Sequence, residues 1–149
     1  MSSSFHIGVV VSFEEKGTWA YLAGALVIPA IYAVHVVGQL GQRLVAEIVW
    51  VRPMLIAIGA GIVVGIAATM LIAAAKPSEA GQRDVRDKEI SRFGDYVGGM
   101  VLSAQVVLVL ALTMFEVEHF WIANAIYAGF ILQAITSSVV KLVAYRRGL

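Results

Sequence analysis

The chain contains no cysteine and little charge. Of its 149 residues, 14% are charged, whereas soluble domains carry about 25%. The absence of cysteine excludes disulfides, thiolate metal sites and thiol catalysis. The net charge of +1 provides no basic excess, so direct nucleic-acid binding is not expected. A hydrophobic fraction of 60% instead indicates a protein that is solvated by lipid.

The few charges are clustered, and four charge-free segments separate the clusters. Each segment is 20 to 26 residues long, and about 20 helical residues cross a hydrocarbon core of about 30 Å. We therefore predict an all-α, four-helix transmembrane bundle that forms a single integral membrane domain over residues 1–149. The predicted helices lie near residues 18–37, 53–75, 97–115 and 121–140.

Lys and Arg are distributed unequally between the two sides of such a bundle. The N-terminal tail, the middle loop and the C-terminal tail share one side and carry nine of the 11 Lys and Arg residues, whereas the other side carries only Arg43 and Arg52. Loops on the cytoplasmic side are enriched in Lys and Arg. Both termini are therefore predicted to be cytoplasmic.

The two outer connections differ in character. In the first, Leu44, Ile48 and Val51 repeat at helical spacing, which predicts a short amphipathic helix in the outer interface. The second, residues 116–120, is short. It predicts a tight turn, so that helices three and four form an antiparallel hairpin.

The middle loop, residues 76–95, carries about half of all the charge. Opposite charges recur there at i,i+3 and i,i+4 spacing, as in a solvated helix with surface ion pairs. We predict a charged cytoplasmic extension of helix three. A solvated helix is the simpler interpretation, and a docking surface for a cytoplasmic regulator is the alternative. The docking residues would be Arg83, Asp84, Arg86, Asp87, Glu89 and Arg92.

Four stretches of the sequence carry a resemblance. They are residues 12–16, the pattern Arg-Asp-x-Arg-Asp-x-Glu-Ile that begins at Arg83, residues 119–127, and residues 141–148. Together they resemble a family of small actinobacterial four-helix integral membrane proteins with an Arg-Asp-x-x-Ile type motif before the third helix. The resemblance implies the fold and a multi-pass location in a bacterial cytoplasmic membrane. It implies no activity.

Small residues predict where helices approach one another. Gly61 and Gly65 on helix two, and Gly94 and Gly98 on helix three, form two Gly-x-x-x-Gly patterns. Such patterns let backbones come close where lipid supplies no hydrophobic driving force. Packing within the monomer and a homodimer interface both remain open.

Two amides lie near the middle of neighbouring helices by residue count. They are Gln105 on helix three and Gln133 on helix four. An amide in hydrocarbon needs a hydrogen-bonding partner. We predict that these two side chains bond to each other and help the helices to pack.

The sequence carries no recognisable catalytic pattern. It lacks a phosphate-binding loop and a His-x-x-x-His pair, and no Asp, Glu, Lys or Arg lies deep in a predicted helix, which disfavours ion-coupled transport. We predict no enzymatic activity, no cofactor and no metal ion. The preferred function is that of an accessory or regulatory membrane protein, which acts through contacts in a homodimer, in a larger membrane complex or with a cytoplasmic regulator. A small channel or transporter is the alternative.

The outer side leaves one chemical possibility open. His35, Glu116, Glu118 and His119 are all predicted to lie there. Imidazole and carboxylate groups can hold zinc, although this spacing matches no metal signature. A shared zinc ion would require His35 and His119 to come together.

Overall fold

The computed structural model describes residues 13–75 and 85–147, and these residues form four α-helices. Three stretches, Glu15–Val37, Val85–Met114 and His119–Arg147, are long and apolar enough to cross a membrane, and a shorter apolar stretch covers Val51–Ala67. The chain is therefore an all-α, multi-pass membrane protein by length and composition. The helices are α1 (Phe13–Val37), α2 (Val51–Ala75), α3 (Val85–Met114) and α4 (His119–Arg147).

Two helices extend far beyond their charge-free segments. α3 begins at Val85 rather than near Val97, and α4 continues to Arg147 rather than ending near Val140. A charge-free segment marks only the part of a helix that suits hydrocarbon, whereas the backbone hydrogen bonds of a helix continue through charged residues. The helical extension that the charge pattern predicted before the third span is present from Val85 onward.

The main helix interfaces are α1–α2, α1–α4 and α3–α4. The helices therefore follow the spatial order α2, α1, α4, α3, with α2 and α3 at the two edges. Near one end of the α1–α4 interface, the Arg146 guanidinium lies 5.8 Å from the ring centre of Trp19. Near the other end, Tyr32 contacts Tyr127 edge to face, with ring centres 5.2 Å apart. α1 and α4 are thus antiparallel.

The buried core lies at the end of the helices nearest to the α1–α2 loop. Trp50, in that loop, packs edge to face against Phe120 on α4, with ring centres 6.1 Å apart. The loop thus covers one end of the α1–α2–α4 packing. The buried residues of this core are Tyr32, Val36, Ile48, Met54, Ala57 and Phe120.

The α1–α2 loop contains one turn of 3₁₀ helix, Val45–Glu47, and then an extended segment. The predicted amphipathic helix is therefore wrong: Ile48 is 5% exposed and Leu44 is 73% exposed, so they do not share a buried face. Gln39 holds the loop instead. Its side-chain oxygen accepts a 3.1 Å hydrogen bond from the Val49 N–H, and its Nε2 donates to the His35 carbonyl at 3.3 Å.

The turn between α3 and α4 is short, as the sequence predicts. The N–H of Glu116 donates to the Thr113 carbonyl at 3.1 Å, and the N–H of Val117 donates to the Leu112 carbonyl at 3.1 Å. This pair of bonds is a Schellman motif, whose left-handed position usually holds glycine. Here Glu116 occupies that position with φ of 54°.

Candidate functional sites

The candidate docking residues lie at the start of α3, except for two. Arg83 and Asp84 fall outside the described residues. The remaining four, Arg86, Asp87, Glu89 and Arg92, lie on the first two turns of the helix, and all but Asp87 are exposed. The structure thus presents a helical charged surface before the apolar part of α3 begins.

A polar cluster joins the base of this charged segment to α4. One oxygen of Asp95 accepts hydrogen bonds from Lys141 Nζ at 2.7 Å and from Ser137 Oγ at 2.9 Å. The other oxygen lies 3.5 Å from Ser91 Oγ, on the preceding turn of α3. Two residues of α4 therefore restrain the rotation of α3 at the point where its charges give way to apolar residues.

Gly94 and Gly98 lie in the α3–α4 interface. A Cβ atom added to Gly94 would stand 2.5 Å from Lys141 Cγ and 2.9 Å from the Ser137 carbonyl oxygen. One added to Gly98 would stand 3.0 Å from both the Gln133 carbonyl oxygen and Ser137 Cβ. These distances are too short for a larger residue without displacement of α4. The second Gly-x-x-x-Gly pattern therefore lies where two backbones approach closely.

The predicted hydrogen bond between Gln105 and Gln133 is not the one that forms. Gln105 Nε2 donates instead to the Ala125 carbonyl of α4 at 3.0 Å, and the Gln105 side chain packs over Gly129. Gln133 lies one helical turn further along α4, beside Gly98. Residue counting misplaced the two amides by one turn, because the antiparallel register sets Gln105 opposite Gly129.

Gly61 and Gly65 do not pack against another helix of the monomer. No described atom lies within 4 Å of a Cβ added at either position. α2 meets α1 through other residues, since Ala57 is buried in the core and Val64 Cγ1 lies 3.6 Å from a Cβ added at Gly24. The first Gly-x-x-x-Gly pattern therefore faces away from the rest of the described chain.

Polar groups that the sequence analysis did not single out join α1 to α4. Tyr32 Oη donates a 2.9 Å hydrogen bond to Asn124 Oδ1, and Asn124 Nδ2 donates to the Phe120 carbonyl at 2.8 Å. Both side chains lie five residues from the ends of their helices at Val37 and His119. This equal distance from the helix ends is the sequence feature that could have predicted the hydrogen bond between Tyr32 and Asn124.

Asp95 and Lys141 could also have been paired from their positions in the sequence. In an antiparallel hairpin with a short turn near Val117, residues equally far from the turn lie opposite each other. Asp95 and Lys141 are 22 and 24 residues from Val117, so hairpin counting places them at nearly the same level.

The zinc hypothesis concerns His35, Glu116, Glu118 and His119. Among the residues in the described ranges, no group of three or more His, Asp or Glu side chains is arranged to hold a metal ion. Glu116 forms the left-handed position of the α3–α4 turn, and the carbonyl of Glu118 accepts from the Trp121 N–H at the start of α4. The backbone of Glu116 and Glu118 forms part of the α3–α4 turn.

Comparisons with known proteins identify no relative. No protein-family model, no curated protein and no solved structure matches the chain.

Proposed function

We propose that this chain is a non-enzymatic accessory or regulatory membrane protein that acts through protein contacts, with the charged start of α3 as the docking surface for a cytoplasmic regulator. The resemblance to small actinobacterial four-helix membrane proteins supports a bacterial cytoplasmic membrane as its location. The excess of Lys and Arg on the side of the N-terminus, middle loop and C-terminus supports the cytoplasmic placement of the docking surface.

The continuity of α3 is the observation that carries this proposal. α3 has 30 residues, which correspond to about 45 Å at 1.5 Å per residue, whereas a hydrocarbon core is about 30 Å thick. About 15 Å of helix therefore extends beyond the lipid. Because Asp95 is bonded to Lys141 and Ser137, this projecting segment is held in a defined direction.

A photo-reactive amino acid placed at Glu89 tests the docking surface in native membranes. We expect a discrete cross-linked protein adduct at Glu89 and none at Val107, which is exposed on the apolar part of α3. The double substitution Arg86→Glu and Arg92→Glu should abolish the adduct, because it replaces two exposed cations of the surface by carboxylates and leaves the buried residues unchanged. An adduct that survives this double substitution would contradict the proposal.

The open side of α2 supports a second contact, with another copy of this chain. Gly61 and Gly65 meet no described atom in the monomer, and small residues at this spacing are typical of transmembrane helix dimers. A homodimer would cover this surface.

A small channel or transporter is the alternative function, and solute flux separates the two. The purified protein in liposomes should give no ion or small-solute flux above that of protein-free liposomes. Flux that depends on the protein and disappears on its thermal unfolding would favour the channel.

A further inference from the structure

A cleft of about 440 Å³ lies between α1 and α4, at the end nearest to the α1–α2 loop. This volume falls in the range of about 300–1,000 Å³ that is usual for ligand pockets. The α1 wall includes Ala25, Ala30 and Ala33 among larger apolar residues, and the α4 wall includes the aromatic residues Trp121 and Tyr127. The small side chains of the alanines leave the volume of the cleft open, and the aromatic rings give the cleft an apolar surface.

The cleft follows the helix axes over the depth of one leaflet. Its lining extends from Ala25 to Val37 on α1 and from Phe120 to Ile131 on α4. At 1.5 Å per residue, these stretches are about 16 to 18 Å long, and half of a hydrocarbon core is about 15 Å. An occupant would therefore lie parallel to the acyl chains of the surrounding bilayer.

The length and volume of the cleft suit a single hydrocarbon chain as its occupant. Such a chain is thin and fits a narrow apolar space of this length.

One polar side chain on the wall of the cleft requires a hydrogen-bond acceptor on the occupant. Asn124 accepts from Tyr32 and donates one N–H to the Phe120 carbonyl. A side-chain amide carries two N–H groups, so its second N–H is a further donor on a residue that lines the cleft. In hydrocarbon such a donor is costly without an acceptor.

The depth of Asn124 indicates which acceptor is available. Asn124 follows Trp121 by three residues on α4, which is about 4.5 Å along the helix. Tryptophan is enriched at the membrane interface, so Asn124 lies just inside it. The ester carbonyls of glycerolipids occupy this level, where the interface gives way to the acyl chains.

We propose that the cleft binds one acyl chain of an ester-linked glycerolipid, whose ester carbonyl accepts a hydrogen bond from Asn124 Nδ2. The chain then runs past Tyr127 toward Ile131 and Ala25, and the headgroup lies beyond Trp121. The lipid comes from the leaflet on the side of the α1–α2 loop. It occupies a defined position between α1 and α4, unlike the exchanging lipid around the rest of the helices.

Competition between two phospholipids that differ only in their chain linkage tests this proposal. The protein is purified in mild detergent with equal amounts of dioleoyl phosphatidylglycerol and its ether-linked analogue, and retained lipid is measured by mass spectrometry. We expect about five- to tenfold preferential retention of the ester lipid, the effect of one hydrogen bond. Ala33→Leu should abolish retention because it fills the cleft, whereas Ala104→Leu, at an exposed position on α3, should leave it unchanged.

Two further substitutions separate lipid binding from helix packing. Tyr32→Phe and Asn124→Leu both remove the hydrogen bond between α1 and α4, but only Asn124→Leu removes the amide N–H. The ester preference should persist in Tyr32→Phe and disappear in Asn124→Leu. Equal retention of ester and ether lipid by the unmodified protein would overturn the proposal. Equal loss of lipid in Ala33→Leu and Ala104→Leu would also overturn it. Retention of a prenylated ring compound in place of the glycerolipid would overturn it as well.

Discussion

Lys141 on α4 donates a 2.7 Å hydrogen bond to Asp95 on α3, and the same carboxylate oxygen accepts from Ser137. The Asp95 side chain is 59% exposed and that of Lys141 is 20% exposed, so solvent screens the ion pair. Such pairs contribute about 0–1 kcal/mol to the free energy of unfolding. The contribution of this pair is therefore mainly geometric, because it fixes the charged start of α3 relative to α4.

Replacement of Asp95 should loosen the start of α3 without unfolding the protein. We expect Asp95→Ala to accelerate tryptic cleavage after Lys88 and Arg92, and to change the free energy of unfolding by no more than about 1 kcal/mol. Asp87→Ala on the same segment is the matched control, since Asp87 is not a partner of Lys141. Cleavage rates that are equal in the two variants would show that the Asp95 cluster does not restrain the segment.

The neighbouring glycines Gly98 and Gly99 provide a direct test of close helix packing. Replacing either one by Ala adds the same helix propensity, about 1 kcal/mol. A Cβ at Gly98 would stand 3.0 Å from the Gln133 carbonyl oxygen and from Ser137 Cβ, whereas a Cβ at Gly99 would meet no described atom within 4 Å. Gly99→Ala should stabilise the protein, and Gly98→Ala should be less stable than Gly99→Ala by about 1–3 kcal/mol.

Unfolding of both variants in a detergent series, followed by circular dichroism, gives this difference. Equal stability of Gly98→Ala and Gly99→Ala would mean that α4 shifts to accommodate the added methyl group without loss.

The left-handed conformation of Glu116 predicts a stabilising substitution. Glu116→Gly should raise the free energy of unfolding by about 1 kcal/mol, because a residue with a Cβ atom is disfavoured at positive φ. Glu116→Ala keeps the Cβ atom while removing the charge, and should show no such gain. Thermal melts of the two variants check this, and a larger gain in Glu116→Ala would indicate that the charge rather than the backbone is unfavourable.

The open glycines of α2 predict the oligomeric state of substituted proteins. Gly61→Leu and Gly65→Leu should shift a dimer toward monomer, since each would separate two closely packed helices. Gly59→Leu is the control, because a Cβ added at Gly59 also meets no described atom within 4 Å, but Gly59 is not part of the Gly61-x-x-x-Gly65 pattern. Sedimentation equilibrium in detergent gives the masses. A protein that is monomeric before substitution would contradict the homodimer.

The distribution of Lys and Arg predicts the topology, which reporter fusions can measure. Fusions after residues 85 and 149 should report a cytoplasmic location, and fusions after residues 46 and 118 an external one. Adding Lys residues at the external turn near Glu118 should weaken this orientation, because charge next to the helix ends sets it. An external signal at residue 85 would place the charged start of α3 away from any cytoplasmic regulator.

The helices themselves could be predicted because hydropathy acts locally. A segment such as residues 119–140 contains no Asp, Glu, Lys or Arg, and a long uncharged apolar run has few alternatives to a membrane helix. The α3–α4 hairpin was also predictable from a local feature, because the short turn near Val117 places the two helices side by side. The periodicity of Leu44, Ile48 and Val51 was misleading, because the hydrogen bond of Gln39 to Val49 and the burial of Ile48 in the core hold the end of that loop in an extended form.

The sequence alone determined that this chain is an all-α membrane protein with a charged helical segment before the apolar part of its third helix. The two Gly-x-x-x-Gly patterns look equivalent in sequence, yet Gly94 and Gly98 lie against α4, while a Cβ added at Gly61 or Gly65 meets no atom of the described residues within 4 Å. The order and register of the helices decided this difference, as well as the partners of Gln105 and Asn124. Because lipid solvates every apolar helix face almost equally well, hydropathy cannot encode which faces meet, and only close packing and interhelical hydrogen bonds select them.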